Sequence, residues 1–292
     1  GRKEFVKGTL LLTGAGLFCR VLGFFYRIYM SRTIGAEGLG LYNMIHPLFS
    51  IAFAVCAGSI QTALSQYIAA SQEKGPAVFK CGLFLSLSLS VIPLLLLWKG
   101  KMFLAGNILS EPQAARYLPV LAVSVPFACL HACINGYFYG KKKASVPALT
   151  QLLEQLARVG CVFLVTGADL SEGRTPSINA AVLGLTVGEL LSMLIALICL
   201  YIHLYPDASV LSLQNICPSS AVYRDLLGMA LPLTANRIVL NILQSIEAVS
   251  IPQKLLLYGY DTTTALSVYG VLTGMAMPMI FFPNALTSSV AV

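Results

Sequence analysis

The sequence predicts an all-α integral membrane protein: a polytopic helical bundle with a six-helix N-terminal lobe and the first two helices of a second lobe. Three observations predict it. Hydrophobic residues make up 57% of the 292 and charged residues 11%, against roughly 45–50% and about 25% in soluble domains. Mean hydropathy is +0.79. Apolar runs long enough to cross a hydrocarbon core of roughly 30 Å recur eight times. A chain this apolar has too few polar groups to cover a water-facing surface, which excludes disorder, a coiled coil and a disulfide-rich secreted scaffold.

The runs fall at 5–30, 41–70, 77–98, 118–138, 146–166, 178–201, 223–249 and 266–292. The first is too long for a cleaved signal segment, and no small-residue cleavage site precedes a polar stretch, so it is read as a span. Connections are short except at 99–117 and 203–222. The second of these is rich in Pro, Asp, Ser, Asn and Gln, as a linker between lobes is. The division expected is therefore 1–204 for the first lobe, a cytoplasmic linker at 205–222, and 223–292 for the start of the second.

A net charge of +7 would suggest nucleic acid in a soluble domain, but membrane proteins gather Lys and Arg on their cytoplasmic side. No basic tract here is interleaved with aromatics in a polar context, and nucleic acid is not expected as a partner. With the N-terminus inside, Arg2, Lys3, Lys7, Lys74, Lys80, Lys141, Lys142, Lys143 and Arg224 lie on the inner side. Arg32, Lys99, Lys101, Arg116, Arg174 and Lys254 lie on the outer side. The imbalance and the triple-lysine cluster favour a cytoplasmic N-terminus. Seven of the eight cysteines sit inside apolar runs and no Cys-x-x-Cys occurs, so they read as small packing residues. Cys129, His131 and Cys133 do not make a metal site, because a helix turns His131 roughly 160–200° away from both neighbours.

The last two runs resemble the first two. Gly8, Thr13, Ala15 and Arg20 are echoed by Gly228, Thr234, Ala235 and Arg237. The loops that follow carry Gly35 and Glu37, or Gly259 and Asp261, and the next helices carry Tyr42 and Pro47, or Tyr269 and Pro278. Each then enters a small, hydroxyl-rich stretch, at 57–65 and at 285–289. Repeats of this kind are how many transporters are built, and a six-helix unit implies that the sequence stops early in its second repeat.

Ionisable residues at membrane depth cost about 2.5–3.5 kcal/mol each on insertion scales and need a reason. Arg20, Arg27, Arg158, Arg237, Glu154, Glu189 and Glu247 fall within spans. Arg20 and Arg27 are seven apart, which puts them on one face roughly 10 Å apart along the axis, with Gly16 and Gly23 leaving room for a ligand or a helix. Arg237, Asn241 and Gln244 form one polar face of the seventh span. These five are the candidate lining of a wet cavity. Glu154 and Arg158 stand in the order that suits an intrahelical pair. Glu189, preceded by Gly184 and Gly188, reads either as a carboxyl locking the lobe or as a coupling group. His46 precedes Pro47, whose missing amide is expected to kink the second span; its two readings are packing and pH sensing.

The stretch Cys19-Arg20-Val21-Leu22-Gly23-Phe24-Phe25-Tyr26-Arg27, followed by Ile34-Gly35-Ala36-Glu37-Gly38-Leu39-Gly40-Leu41-Tyr42, resembles the opening of the polysaccharide-flippase branch of the multidrug, oligosaccharidyl-lipid and polysaccharide (MOP) exporter superfamily. It is most similar to the sporulation and lipid II flippase members. The resemblance implies a MATE-like, two-lobed transporter of fourteen helices. A cationic central cavity in it would receive the diphosphate of an undecaprenyl-linked sugar. Arg20 matches the first-helix arginine of that pattern. The second arginine of the pattern falls where this chain has Tyr26, and its second-helix arginine falls where Leu48, Phe49 and Ser50 stand.

The function expected is a non-enzymatic flippase that moves a lipid-linked glycan by alternating access. The alternative is a cation-coupled multidrug antiporter of the same architecture, but the central charges are four Arg against three Glu, which favours an anionic cargo. Membrane enzymes need paired aspartates or His-Glu-x-x-His, and all four aspartates lie in loops or at a helix end. No cofactor or metal is expected beyond an unidentified coupling ion. The partners expected are the lipid-linked glycan and the bilayer, and the state expected is a monomer in the bacterial cell membrane.

Overall fold

The computed structural model describes residues 2–71, 75–204, 220–281 and 283. Among these the regular structure is helical, with no strand, and eight helices are long and apolar enough to span a bilayer. The chain is a multi-pass membrane protein. The linker expected at 205–222 lies outside the described residues except for its last three, as do Lys74, Cys217 and 285–289.

The first span is α1 (Arg2–Thr33). The second begins as α2 (Gly35–Phe53), passes through a π-helical turn (Ala54–Gly58) and ends as α3 (Ser59–Ala70). It starts six residues before the expected boundary because Gly35, at φ +83°, reverses the chain directly after α1. The helix runs on through Pro47, and a π turn follows it at Ala54–Gly58. Next come α4 (Gly75–Lys99), α5 (Lys101–Phe103) with short π and 3-10 turns to Arg116, and α6 (Leu118–Gly140). Then follow α7 (Ser145–Ser171), α8 (Ile178–Leu204), α9 (Ser220–Tyr258) and α10 (Thr262–Gly270), the last continuing through a π segment (Val271–Ala276). The second and eighth spans, paired as repeats in the sequence, thus both contain π-helical backbone. Gly259, at φ +111°, occupies the place of Gly35 in its loop.

The core is built around α6, packed against α3, α4 and α8. Its small residues allow this. A β-carbon on Gly136 would come within 2.7 Å of the Gln61 carbonyl oxygen, and one on Gly140 within 2.7 Å of Ile68. Cys129 and Cys133 are fully buried in that packing, and the described cysteines are free thiols. By contrast Phe25, Ile92, Leu164, Ile202 and Leu243 stay exposed, as lipid-facing side chains do.

The two ends of the bundle are distinct. At the end carrying the α1 N-terminus, a β-carbon on Gly8 would contact Ala144, Lys143 Nζ lies 3.0 Å from His203 Nδ1, and Leu226 packs with Ile68 and Leu204. At the opposite end, Tyr29 bonds Thr166 at 2.7 Å, and Gln253 donates to Ser110 at 2.7 Å. There α10 lies against α2 with backbone nearly touching backbone: a β-carbon on Gly40 would overlap the Leu266 carbonyl oxygen, and one on Gly270 that of Ala36. Asp261 caps α10 by accepting from the Thr264 hydroxyl and amide, and these bonds hold its carboxyl below the usual aspartate range. The cap is complete above that range and is lost as pH falls through the lowered value.

Gly270→Ala should lower unfolding stability by about 1–3 kcal/mol, because the added carbon forces the two helices apart. Gly160→Ala, mid-helix with nothing within 4 Å, should be neutral or stabilising by about 0.5–1 kcal/mol. Denaturant unfolding in detergent compares the two, and equal effects would contradict the close crossing.

Candidate binding site

Two adjoining recesses open into the polar interior between α1, α2, α6 and α7. Each is built from positions that helical spacing brings to one face. The first, about 250 Å³, lies toward the end opposite the N-terminus. Tyr26, Arg27 and Met30 of α1 line it, with Tyr42, Asn43 and His46 of α2 and Gln155 and Arg158 of α7. His46 Nδ1 lies 3.4 Å from Ser50 Oγ, and its ring packs at a tilt against those of Tyr42 and Phe49. The second recess, about 340 Å³, lies nearer the N-terminal end. Phe49, Phe53 and Gln61 line it from the second span, His131, Asn135 and Tyr139 from α6, Gln151 and Glu154 from α7, and Glu189 from α8.

Glu154 and Arg158 divide the recesses. Their side chains, about four-fifths buried, pair at 2.5 Å, the intrahelical pair that their spacing predicts. Glycines of α8 bring the next carboxylate close: β-carbons on Gly184 and Gly188 would stand 3.0 Å and 3.1 Å from the carbonyl oxygens of Arg158 and Glu154. That flush contact sets Glu189, 7% exposed, beside the pair. His131 Nδ1 lies 3.5 Å from Glu189 Oε2. Nε2 of the same ring lies 2.7 Å from the Asn135 amide nitrogen and 2.9 Å from Ser192 Oγ. Asn135 accepts from Thr150 at 3.2 Å, and Ser192 donates to the Thr150 carbonyl. The ring therefore bridges the Glu189 carboxylate on one side and the Asn135 and Ser192 side chains on the other.

His131 is the residue that reading the sequence misses. It turns away from Cys129 and Cys133, as its spacing requires, but toward Glu154 and Glu189, and one ligand-type atom from each of the three falls within 4.8 Å of the others. The three letters lie on three helices with no motif spacing. Asn135 four residues later was the one local hint.

The other predicted residues are placed as follows. Arg27 lines the first recess and is exposed. Arg20 is exposed on α1 and lines neither recess. Arg237 lies against the second span, its guanidinium filling the place a side chain at Gly58 would take and donating to Thr62 Oγ1 at 3.4 Å. Asn241 donates to the Arg237 carbonyl at 2.8 Å, while Gln244 and Glu247 are exposed on α9.

Two buried polar atoms among the described residues have no hydrogen-bond partner: Tyr26 Oη and Arg158 Nε. Both belong to residues lining the first recess. Buried donors are rarely left unmade; here one belongs to the Arg158 guanidinium itself and the other to Tyr26, on the same recess wall.

The model of a family described as "Polysaccharide biosynthesis protein" matches residues 5–292. Stage V sporulation protein B of Bacillus subtilis (strain 168) is 30% identical over 99% of this chain and 57% of its own length. Lipid II flippase MurJ of the same organism is 21% identical over 57% of this chain and 33% of its length. Among solved structures, a crystal structure of MATE in complex with MaD5 superposes with a TM-score of 0.65 at 20% identity, covering 99% of this chain and 65% of that one. The chain therefore spans little more than half the length of the sporulation relative, and it shares the fold of MOP-superfamily transporters.

Arg158→Leu should destabilise the protein by about 3 kcal/mol, because it strands the buried Glu154 carboxylate, and adding Glu154→Gln should restore most of that loss. Thermal or denaturant unfolding of the single and double variants tests this coupling. A double variant no more stable than Arg158→Leu alone would show that the pair is not a unit.

Proposed function

The chain belongs to the polysaccharide biosynthesis protein family, and on that premise we propose that it works in the bacterial cell membrane as a flippase for an undecaprenyl-diphosphate-linked glycan. The observation that carries this reading is the first recess: Arg27 and Arg158 line it, and Tyr26 Oη and Arg158 Nε are donors without acceptors. A diphosphate has the oxygens and the charge to satisfy them, and guanidinium forks grip phosphate with paired, charge-assisted bonds. Hydrocarbon excludes such a head group, so it crosses only inside a polar cavity while the prenyl tail stays in lipid. The chain takes no part in bond making.

In this reading Arg27 and Arg158 form the seat. Arg20, and Arg237 with Asn241 and Gln244, belong to the route by which the head group arrives and leaves. Glu154 holds Arg158 in place through their ion pair. The N-terminus is cytoplasmic, with the Lys141–Lys143 turn on the inner side.

Two measurements test this. In liposomes with labelled undecaprenyl-diphosphate-linked glycan, Arg27→Ala should weaken binding and flipping by about tenfold or more, and Arg27→Lys should recover only part, since lysine offers a point charge where two oxygens are gripped. Tyr26→Phe should weaken binding without loss of stability. Wild-type protein that ignores the lipid but exports cationic dyes would favour a drug antiporter instead. For orientation, a single cysteine at Lys142 in a cysteine-free background should resist impermeant labels added to intact cells; labelling there would invert the topology.

A further inference from the structure

The second recess has a chemistry opposite to the first. Glu154 and Glu189 line it with Arg158 as the one guanidinium beside them, so carboxylates outnumber arginines there. A net charge at membrane depth calls for a counter-charge. A bare metal ion fits the present contacts poorly. Arg158 already occupies Glu154, and Asn135 and Ser192 occupy His131 Nε2.

The space is also larger than an ion needs. About 340 Å³ is open beside the carboxylates, where a water molecule takes about 30 Å³. Phe49 and Phe53, stacked with centroids 6.3 Å apart, form an aromatic wall. Gln61 and Gln151 add amides at the rim. Aromatic faces, a carboxylate not paired with an arginine and neutral amides suit an organic ammonium carried on a polar body.

The geometry points to a bipartite seat: the first recess holds the diphosphate, and the second, through Glu189 with Phe49 and Phe53, holds a primary ammonium group on the glycan or its peptide. The cargo class is then a zwitterionic head group, an amine-bearing glycan diphosphate. This rests on the flippase reading for its anionic half, while the ammonium half stands on the second recess alone.

The experiment uses the full-length protein and two undecaprenyl-diphosphate-linked glycopeptides that differ only in whether the amine is free or acetylated. Wild type should bind the free amine about tenfold more tightly. Glu189→Gln should erase that preference and leave affinity for the acetylated lipid unchanged. Equal affinity of wild type for both lipids, or loss of both together in Glu189→Gln, would overturn the proposal. If neither lipid binds, the cargo reading fails, and the ammonium site is decided by saturation-transfer NMR with glucosamine against N-acetylglucosamine. Preference for glucosamine that Glu189→Gln removes sustains it, and no preference ends it. Stoichiometric calorimetric binding of Na⁺ or Mn²⁺ that depends on Glu189 would instead make the recess an inorganic cation site and overturn it.

Discussion

The organisation of this protein depends on one constraint: a charge inside lipid must have its opposite within reach. The Glu154–Arg158 pair meets it on a single helix. Much of the interior is arranged around that pair. Gly184 and Gly188 let α8 lie on the backbone of the pair, Glu189 arrives beside it, and His131 completes the set from α6. Because Arg158 reaches into one recess and Glu154 into the other, the same bond separates a cationic space from an anionic one. Removing the pair would merge two chemically different compartments into one.

What the sequence makes legible follows from the distance over which each signal acts. Spans are legible because hydropathy accumulates over some twenty residues, and all eight match spans of the structure, although the seventh runs nine residues past its expected end, to Tyr258, and the expected end of the eighth lies outside the described residues. The Glu154–Arg158 bond is legible because four residues is one helical turn. The recesses are not, because they are meetings of α1, α2, α6, α7 and α8, whose order in the chain says nothing of their neighbours in space. His131 is silent for that reason. Arg20, central in its span by sequence, is exposed on α1, whereas Arg158, read only as half of a pair, also lines a recess. A pair explains the charge of a residue but not the direction of its remaining donors.

The likeness between the first two and last two spans has a physical counterpart. Gly35 and Gly259 both turn the chain with left-handed backbone, and α2 and α10 meet face to face where Gly40 and Gly270 remove every obstacle between them. Helices that touch through glycine backbone share a smooth surface. Such a surface resists a thicker side chain but not a sliding displacement of one helix on the other.

The π turn at Ala54–Gly58 carries a consequence for how this chain can vary. A π turn holds one residue more than an α turn, and one residue is a rotation of about 100° around the axis. On its near side α2 presents Tyr42, Asn43 and His46 to the first recess, and on its far side α3 presents Gln61 to the second. Deleting a single residue there would restore an ordinary helix with nothing lost from its hydropathy. It would also turn Gln61 and Thr62 toward new neighbours and unseat Arg237 from its place over Gly58. Length in this segment is therefore under tighter constraint than identity: an apolar exchange keeps the phase of the helix, and a one-residue gap does not.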